Sequence, residues 1–180
     1  MKGCILMVQI RFARLEDAQA IAELHAESWR YAYRGALSDE YLSGDIIADR
    51  LKLWQHRLSE PLDNQHVLVV YDDSTIVGFA CAFIEDDETY GSYLDNIHVK
   101  PSFHKRGLGK KLLNSIANQC FQVAPSLGFY LWVNQNNTNA QDFYLAQGAS
   151  NLGTDVWDAP GGTIVPRFRF GWSAGNLPMS

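Results

Sequence analysis

Apolar and polar side chains alternate from Val8 to Phe12, with Val8, Ile10 and Phe12 set between Gln9 and Arg11, the period of a strand that buries one face. The period then lengthens. Over residues 16–30, Ala18, Ile21, Ala22 and Trp29 recur at helical spacing, and Glu16 and Asp17 stand at the start, where the helix dipole favours acids. The pattern breaks at 31–35. A further helix is predicted over about 45–58, with Leu51, Trp54 and Leu58 on one face and Pro61 and Asn64 ending it. The first part of the chain therefore reads as mostly helical.

Strands dominate the remainder. An apolar run at 67–71, a polar turn at 72–75 and a second run at 76–84 predict an antiparallel hairpin, with Gly78 marking a bulge. After an acidic turn at 85–88, a strand over 93–99 stops before Pro101, which has no N–H for a ladder. A helix then carries the stripe Leu108, Leu112, Leu113, Ile116, Ala117 and Cys120, followed by a strand over 129–133 and a short helix over 139–147 closed by Gly148. Two final strands flank a turn at 158–162, and Pro166 points to a sheet edge or a bulge in the second, an edge that could serve a homodimer.

Composition narrows the class. A chain of 180 residues is expected to form a single domain, with its core over about 8–172, and 47% hydrophobic with 19% charged residues is ordinary globular usage. The net charge of -5 argues against a nucleic-acid partner, which needs clustered Lys and Arg, and permits a cationic substrate. Cys4, Cys81 and Cys120 are widely spaced and odd in number, so reduced thiols are expected rather than a disulfide framework or a zinc site. His25, His56, His66, His98 and His104 show no metal spacing, and no metal is expected. Residues 1–7 lack a signal-type apolar core, and no run of about 20 apolar residues offers a span. The expectation is a cytoplasmic protein with no membrane partner.

The richest chemistry lies at 104–111. Lys105, Arg106, Gly107, Leu108 and Gly109 join a strand to a helix start, where unpaired N–H groups and the dipole make an anion site. Lys110 and Lys111 sit in the first turn, at the wrong end of the dipole unless something negative binds there. A Walker loop is excluded, since Lys110 is followed by Lys111 rather than Ser or Thr, and a dinucleotide fingerprint would need glycine at Leu112. A turn serving only as a connection is the alternative.

The run 94–113, LDNIHVKPSFHKRGLGKKLL, resembles the pyrophosphate-binding motif of the GCN5-related N-acetyltransferase (GNAT) superfamily, with His104 where that motif has Gln or Arg. The stretch 131–149 resembles its next motif through Val133, Asn137, Ala140, Phe143, Tyr144 and Gly148, and 10–42 resembles its first strand and acceptor-side helices. The resemblance implies an α/β (α+β) fold: a mixed, mostly antiparallel sheet flanked by helices and splayed between the strands ending at Val99 and Val133. Acetyl-CoA, the acetyl donor, would lie in that cleft. Ile97, His98 and Val99 would meet the pantetheine, Lys105, Arg106, Gly107, Leu108, Gly109 and Lys110 the pyrophosphate, and Asn137 and Tyr144 the thiol end.

The implied reaction is acetyl transfer to the amine of a small molecule or peptide, by direct attack in a ternary complex. Tyr144 would be the catalytic donor to the departing thiolate, and a packed core aromatic is its other reading. Asn137 reads equally as a helix cap. The resemblance places Trp29 and Tyr33, with Tyr31 and Tyr41 nearby, and Asp95 with the acceptor, and aromatic faces bind cations; a core Trp29 with tyrosines lining a surface loop is the other reading. An alkylammonium near pKa 10.4 must lose its proton first. Asp95, His98 and Glu85 are candidate bases, while Tyr93 occupies the position where many relatives carry an acid, so the base stays open. A non-catalytic acyl-CoA-binding sensor is the alternative function.

Overall fold

The computed structural model describes residues 8–44, 46–159 and 162–179, so the expectations for residues 1–7 with Cys4, for Asp45 and for the tip of the last turn fall outside the described residues. A strand β1 (Gln9–Phe12) leads through a 3₁₀ turn (Leu15–Asp17) into helix α1 (Ala18–Ala32). Asp17 fixes that entry: its carboxylate accepts from the Arg14 N–H at 2.7 Å and from Arg11 at 2.7 and 3.0 Å. Helices α2 (Asp39–Ser43) and α3 (Ile46–Ser59) follow. The first of these had no periodic signal; Ser38 starts it by accepting from the Tyr41 N–H.

Strands β2 (Gln65–Asp72), β3 (Thr75–Asp87) and β4 (Gly91–Val99) form an antiparallel meander, so the acidic residues 85–87 belong to β3 and the turn moves to 88–90. Asp87 explains the shift, because its carboxylate accepts from the N–H groups of Thr89 and Tyr90. Helix α4 (Leu108–Val123), strand β5 (Phe129–Asn134), helix α5 (Thr138–Ala146) and the hairpin β6 (Ser150–Ala159) and β7 (Thr163–Trp172) complete the order. The seven strands lie in one sheet, β1-β2-β3-β4-β5-β7-β6, mixed because only β4 and β5 run parallel. The last strand is therefore interior, contrary to the edge expected from Pro166, and β6 forms the edge. Pro166 is tolerated because β7 outruns β5, whose pairing stops at Asn134 with Arg167.

Helices cover both faces. Leu68, Val70, Ala80, Ala82, Leu131 and Val133 pack on Leu112, Leu113 and Ile116 of α4, while Val67, Val69, Phe79 and Cys81 pack on Ile21, Leu24 and Trp54 of α1 and α3. The register between β2 and β3 shifts beside Gly78, as expected, and a Cβ there would meet the Val70 side chain at 2.7 Å and the His98 carbonyl oxygen at 2.9 Å. A second shift positions the site. Cys81 pairs with Asn96 and Ala82 with Leu94, which leaves Asp95 bulged out of β4.

Candidate active site

The bulge coincides with the parting of the sheet. β4 and β5 pair only at Ser92, Tyr93 and Leu94, against Phe129, Tyr130 and Leu131, so beyond that point the two strands diverge and open a wedge. On its β5 side, β4 from Asp95 to His98 has no partner strand among the described residues, which leaves that edge open to an extended ligand.

One arm of the wedge is a cleft of about 520 Å³ running from Ile97, His98 and Val99 to the turn at Lys105, Gly107, Leu108, Gly109 and Lys110, with Asn137 and Tyr144 on the opposite wall. The turn is held by local geometry. Lys105 and Gly107 are left-handed, at φ 59 and φ 76, and Gly107 is the residue from which α4 begins. His104 Nε2 donates to the Val99 carbonyl oxygen at 2.8 Å, tying the loop back to the strand it leaves. No acid lies in the first turn of α4, and the start of the helix lines the cleft with the cations Lys105 and Lys110 beside it, an arrangement that suits an anion. Of the residues placed here by sequence, Arg106 alone is outside the cleft wall; its exposed guanidinium stacks 4.8 Å from the Phe103 ring centre.

The other arm is a cavity of about 360 Å³ between α1, α3 and the β5–β7 side of the sheet. It brings together Trp29, Tyr33 and Asp95, as expected, together with His25, Tyr93, Asn134, Arg50, Arg57 and Arg167. Tyr31 opens instead onto the cleft, Tyr41 hydrogen-bonds to Asp49 outside both, and Glu85 is exposed on β3 away from the site. The two spaces share Ala32, Ile97, His98, Asn137, Ala140 and Tyr144, so the thiol end of one would meet the contents of the other at these residues.

Electrostatics follow from burial. Asp95 is gripped by Arg57 at 2.6 Å and also accepts from Asn96. His25 is 1% exposed; its Nδ1 accepts from the Trp54 indole N–H at 3.0 Å, which puts the ring proton on Nε2. Desolvation drives the His25 imidazole well below the ordinary histidine value, with His98 the next cause, and burial takes His98 down to about 4. Desolvation raises the Tyr33 phenol to about 12 and pushes Tyr144 and Tyr93 further up. Asn137 caps α5 by accepting from the Ala140 N–H at 3.1 Å, so the capping role is real, and the residue also lines both spaces.

The lowered histidines, His25 and His98 with His66 also lowered by burial, imply a pH window. Unfolded imidazoles titrate near 6.5 and His98 in the fold near 4, so the unfolded chain binds more protons between these values. Stability is therefore fully present above about pH 6.5 and declines as pH falls toward 4. Urea midpoints measured across that range should show the fall, and His25→Gln should make it shallower.

Sequence reasoning missed Arg50, Arg57 and Arg167. The first two are seven apart on α3, a spacing that shares a helix face and was visible; the third arrives through the β5–β7 pairing, which the sequence does not display.

Residues 18–149 match the acetyltransferase (GNAT) family, and the chain belongs to that family. It is 27% identical over 158 residues to the spermidine N(1)-acetyltransferase of Thermoplasma acidophilum, covering 85% of this chain and 94% of the relative. The crystal structure of PaiA N-acetyltransferase from the same organism in complex with coenzyme A superposes with TM-score 0.63 at 25% identity, over 89% of this chain and 97% of the other. The yncA acetyltransferase of Salmonella typhimurium, solved with acetyl-CoA, gives 0.67 at 17%, over 93% and 94%, a likeness of fold. The protein is an acyltransferase of this family, with the splayed sheet the resemblance implied. Among the described residues, no helix is long and apolar enough to cross a membrane.

Proposed function

We propose that the chain acts as one N-acetyltransferase domain that binds acetyl-CoA in the larger cleft and acetylates an amine held in the adjoining cavity, both substrates being present together. The observation that carries this reading is the shared boundary of the two spaces at Ala32, Ile97, His98, Asn137, Ala140 and Tyr144, which lets a donor and an acceptor meet without either leaving its wall. When bound, acetyl-CoA supplies an activated thioester and a thiolate leaving group.

The chain's residues account for the rest. The unpaired edge of β4 orients an extended arm, and the N-terminus of α4, entered through left-handed Gly107, receives a pyrophosphate. Tyr144 holds its hydroxyl at the junction. It stays protonated because burial raises its pKa, which suits a hydrogen-bond donor to developing negative charge more than full proton transfer. Two groups of the cavity border the entering ammonium and can accept its hydrogen bond and relay its proton to water: neutral His98, whose low pKa favours passing a proton on rather than keeping it, and the Asp95 carboxylate on its bulge. A catalytically silent acyl-CoA sensor has no observation of its own in its favour.

Calorimetric titration of acetyl-CoA, followed by thiol release with a panel of amines, tests the reading. Binding with amine-dependent release is expected; absence of binding overturns it. Gly107→Val should weaken acetyl-CoA binding about tenfold, since a left-handed β-branched residue is disfavoured by roughly 1–2 kcal/mol and relief of that strain moves the loop.

A further inference from the structure

Resting on the acetyltransferase reading, we infer that the acceptor is an amine that also carries an anionic group, a carboxylate as in a free amino acid, seated against Arg50, Arg57 and Arg167. The chain as a whole carries -5, yet its acceptor cavity is walled by these three arginines and a single acid, Asp95. Each guanidinium engages one carboxylate through one terminal nitrogen: Arg50 Nη2 to Asp49 at 2.6 Å, Arg57 Nη1 to Asp95 at 2.6 Å and Arg167 Nη2 to Asp155 at 2.8 Å. The other terminal nitrogen of each has no protein acceptor among the described residues. Asp49 and Asp155 stand outside the cavity wall, 45% and 46% exposed, where water screens them.

The remaining polar capacity of the wall has the same sense. Its buried side-chain atoms without a partner, among the described residues, are His25 Nε2, Asn134 Nδ2 and the Nε atoms of Arg50 and Arg167. All are N–H donors, so an acceptor-only group is what this surface lacks. Both tryptophan faces nearest the arginines are already occupied by the chain's own guanidinium groups: Arg50 lies 4.4 Å from the Trp29 ring centre and Arg167 4.1 Å from that of Trp132. A polycation such as spermidine would meet like charges here, whereas a carboxylate meets the planar fork of an arginine. The amine of the same molecule then lies toward Asp95 and His98, at the mouth shared with the donor cleft.

The test compares matched acceptors. Thiol release from acetyl-CoA is measured with common L-amino acids, each beside its carboxamide, and with spermidine, and calorimetry on the CoA-loaded protein records binding of the same compounds. At least one amino acid should exceed its carboxamide in kcat/KM by about tenfold or more, as expected for a charge-assisted hydrogen bond of roughly 1.5–3 kcal/mol. Arg167→Gln should bring that ratio toward unity with acetyl-CoA affinity unchanged, and Arg167→Lys should restore part of it; the partner Asp155 is already wet, so the fold tolerates either change. Carboxamides or spermidine reacting as well as the acids, or no carboxylate-bearing amine reacting or binding, overturns the inference. Failure of acetyl-CoA itself to bind overturns the acetyltransferase reading instead.

Discussion

Tyr144→Phe is expected to lower kcat for amine acetylation by roughly ten- to a hundredfold, the range of one hydrogen bond to an ionised group, while acetyl-CoA affinity changes little. The substitution isolates the hydroxyl. The ring sits 8% exposed on α5, edge-on to Phe143 at 5.2 Å and to Trp172 at 6.4 Å, and phenylalanine preserves those contacts. The hydroxyl makes no hydrogen bond to a described residue, so its removal strands no protein partner and should leave stability nearly unchanged. A group used only as negative charge develops on sulfur is felt in kcat and kcat/KM together, whereas a ground-state contact would appear in acetyl-CoA affinity. Because desolvation raises the phenol above its usual value, the pH–rate profile should show no loss of activity from Tyr144 ionisation up to about pH 10. Rapid-mixing measurement of single turnovers checks the chemical step directly, and an unchanged rate would remove Tyr144 from it.

Much of the fold was written in periodicity, because burial on one face is enforced residue by residue. The apolar runs of β2 and β3 match strands now seen packed on both faces, and the stripe on α4 matches the face it buries. The glycine turn was legible for a different reason: Gly107 answers a local backbone demand, a left-handed entry to α4, that few side chains meet. What escaped was set by pairing between distant segments. Nothing local at Asp95 announces that Cys81 and Ala82 skip it, and β7 became interior only because it inserts between β5 and β6. The acceptor wall suffered most. Trp29 and Tyr33 were read as a cation-binding cluster, but the sequence could not show that Arg50 already covers Trp29 or that Arg167 lies over Trp132. The character of a pocket depends on what its aromatic faces already hold.

Trp54→Ala should destabilise the fold by about 3–5 kcal/mol, the range for deleting a fully buried large aromatic. The side chain is 0% exposed, packs edge-on to Phe79 at 5.1 Å, and lies 5.2 Å beneath the Arg57 guanidinium. It also donates the only hydrogen bond of His25 among the described residues, so its loss leaves both imidazole nitrogens unpaired in the core. Trp54→Phe separates the two effects: most of the packing survives, and a deficit of roughly 1–3 kcal/mol would report the stranded Nδ1. Urea unfolding provides both values. The functional arm follows from the same contacts, because His25 and Arg57 face the acceptor cavity from residues that Trp54 supports. Trp54→Phe should therefore raise KM for the acceptor while leaving acetyl-CoA affinity alone, since the donor cleft is walled by β4, the turn after it, α4, α5 and the α1 residues Ser28, Tyr31 and Ala32, with no contribution from α3. Equal weakening of both substrates would mean that the two arms of the wedge do not respond separately, and that the α1–α3 layer sets the opening of the whole sheet.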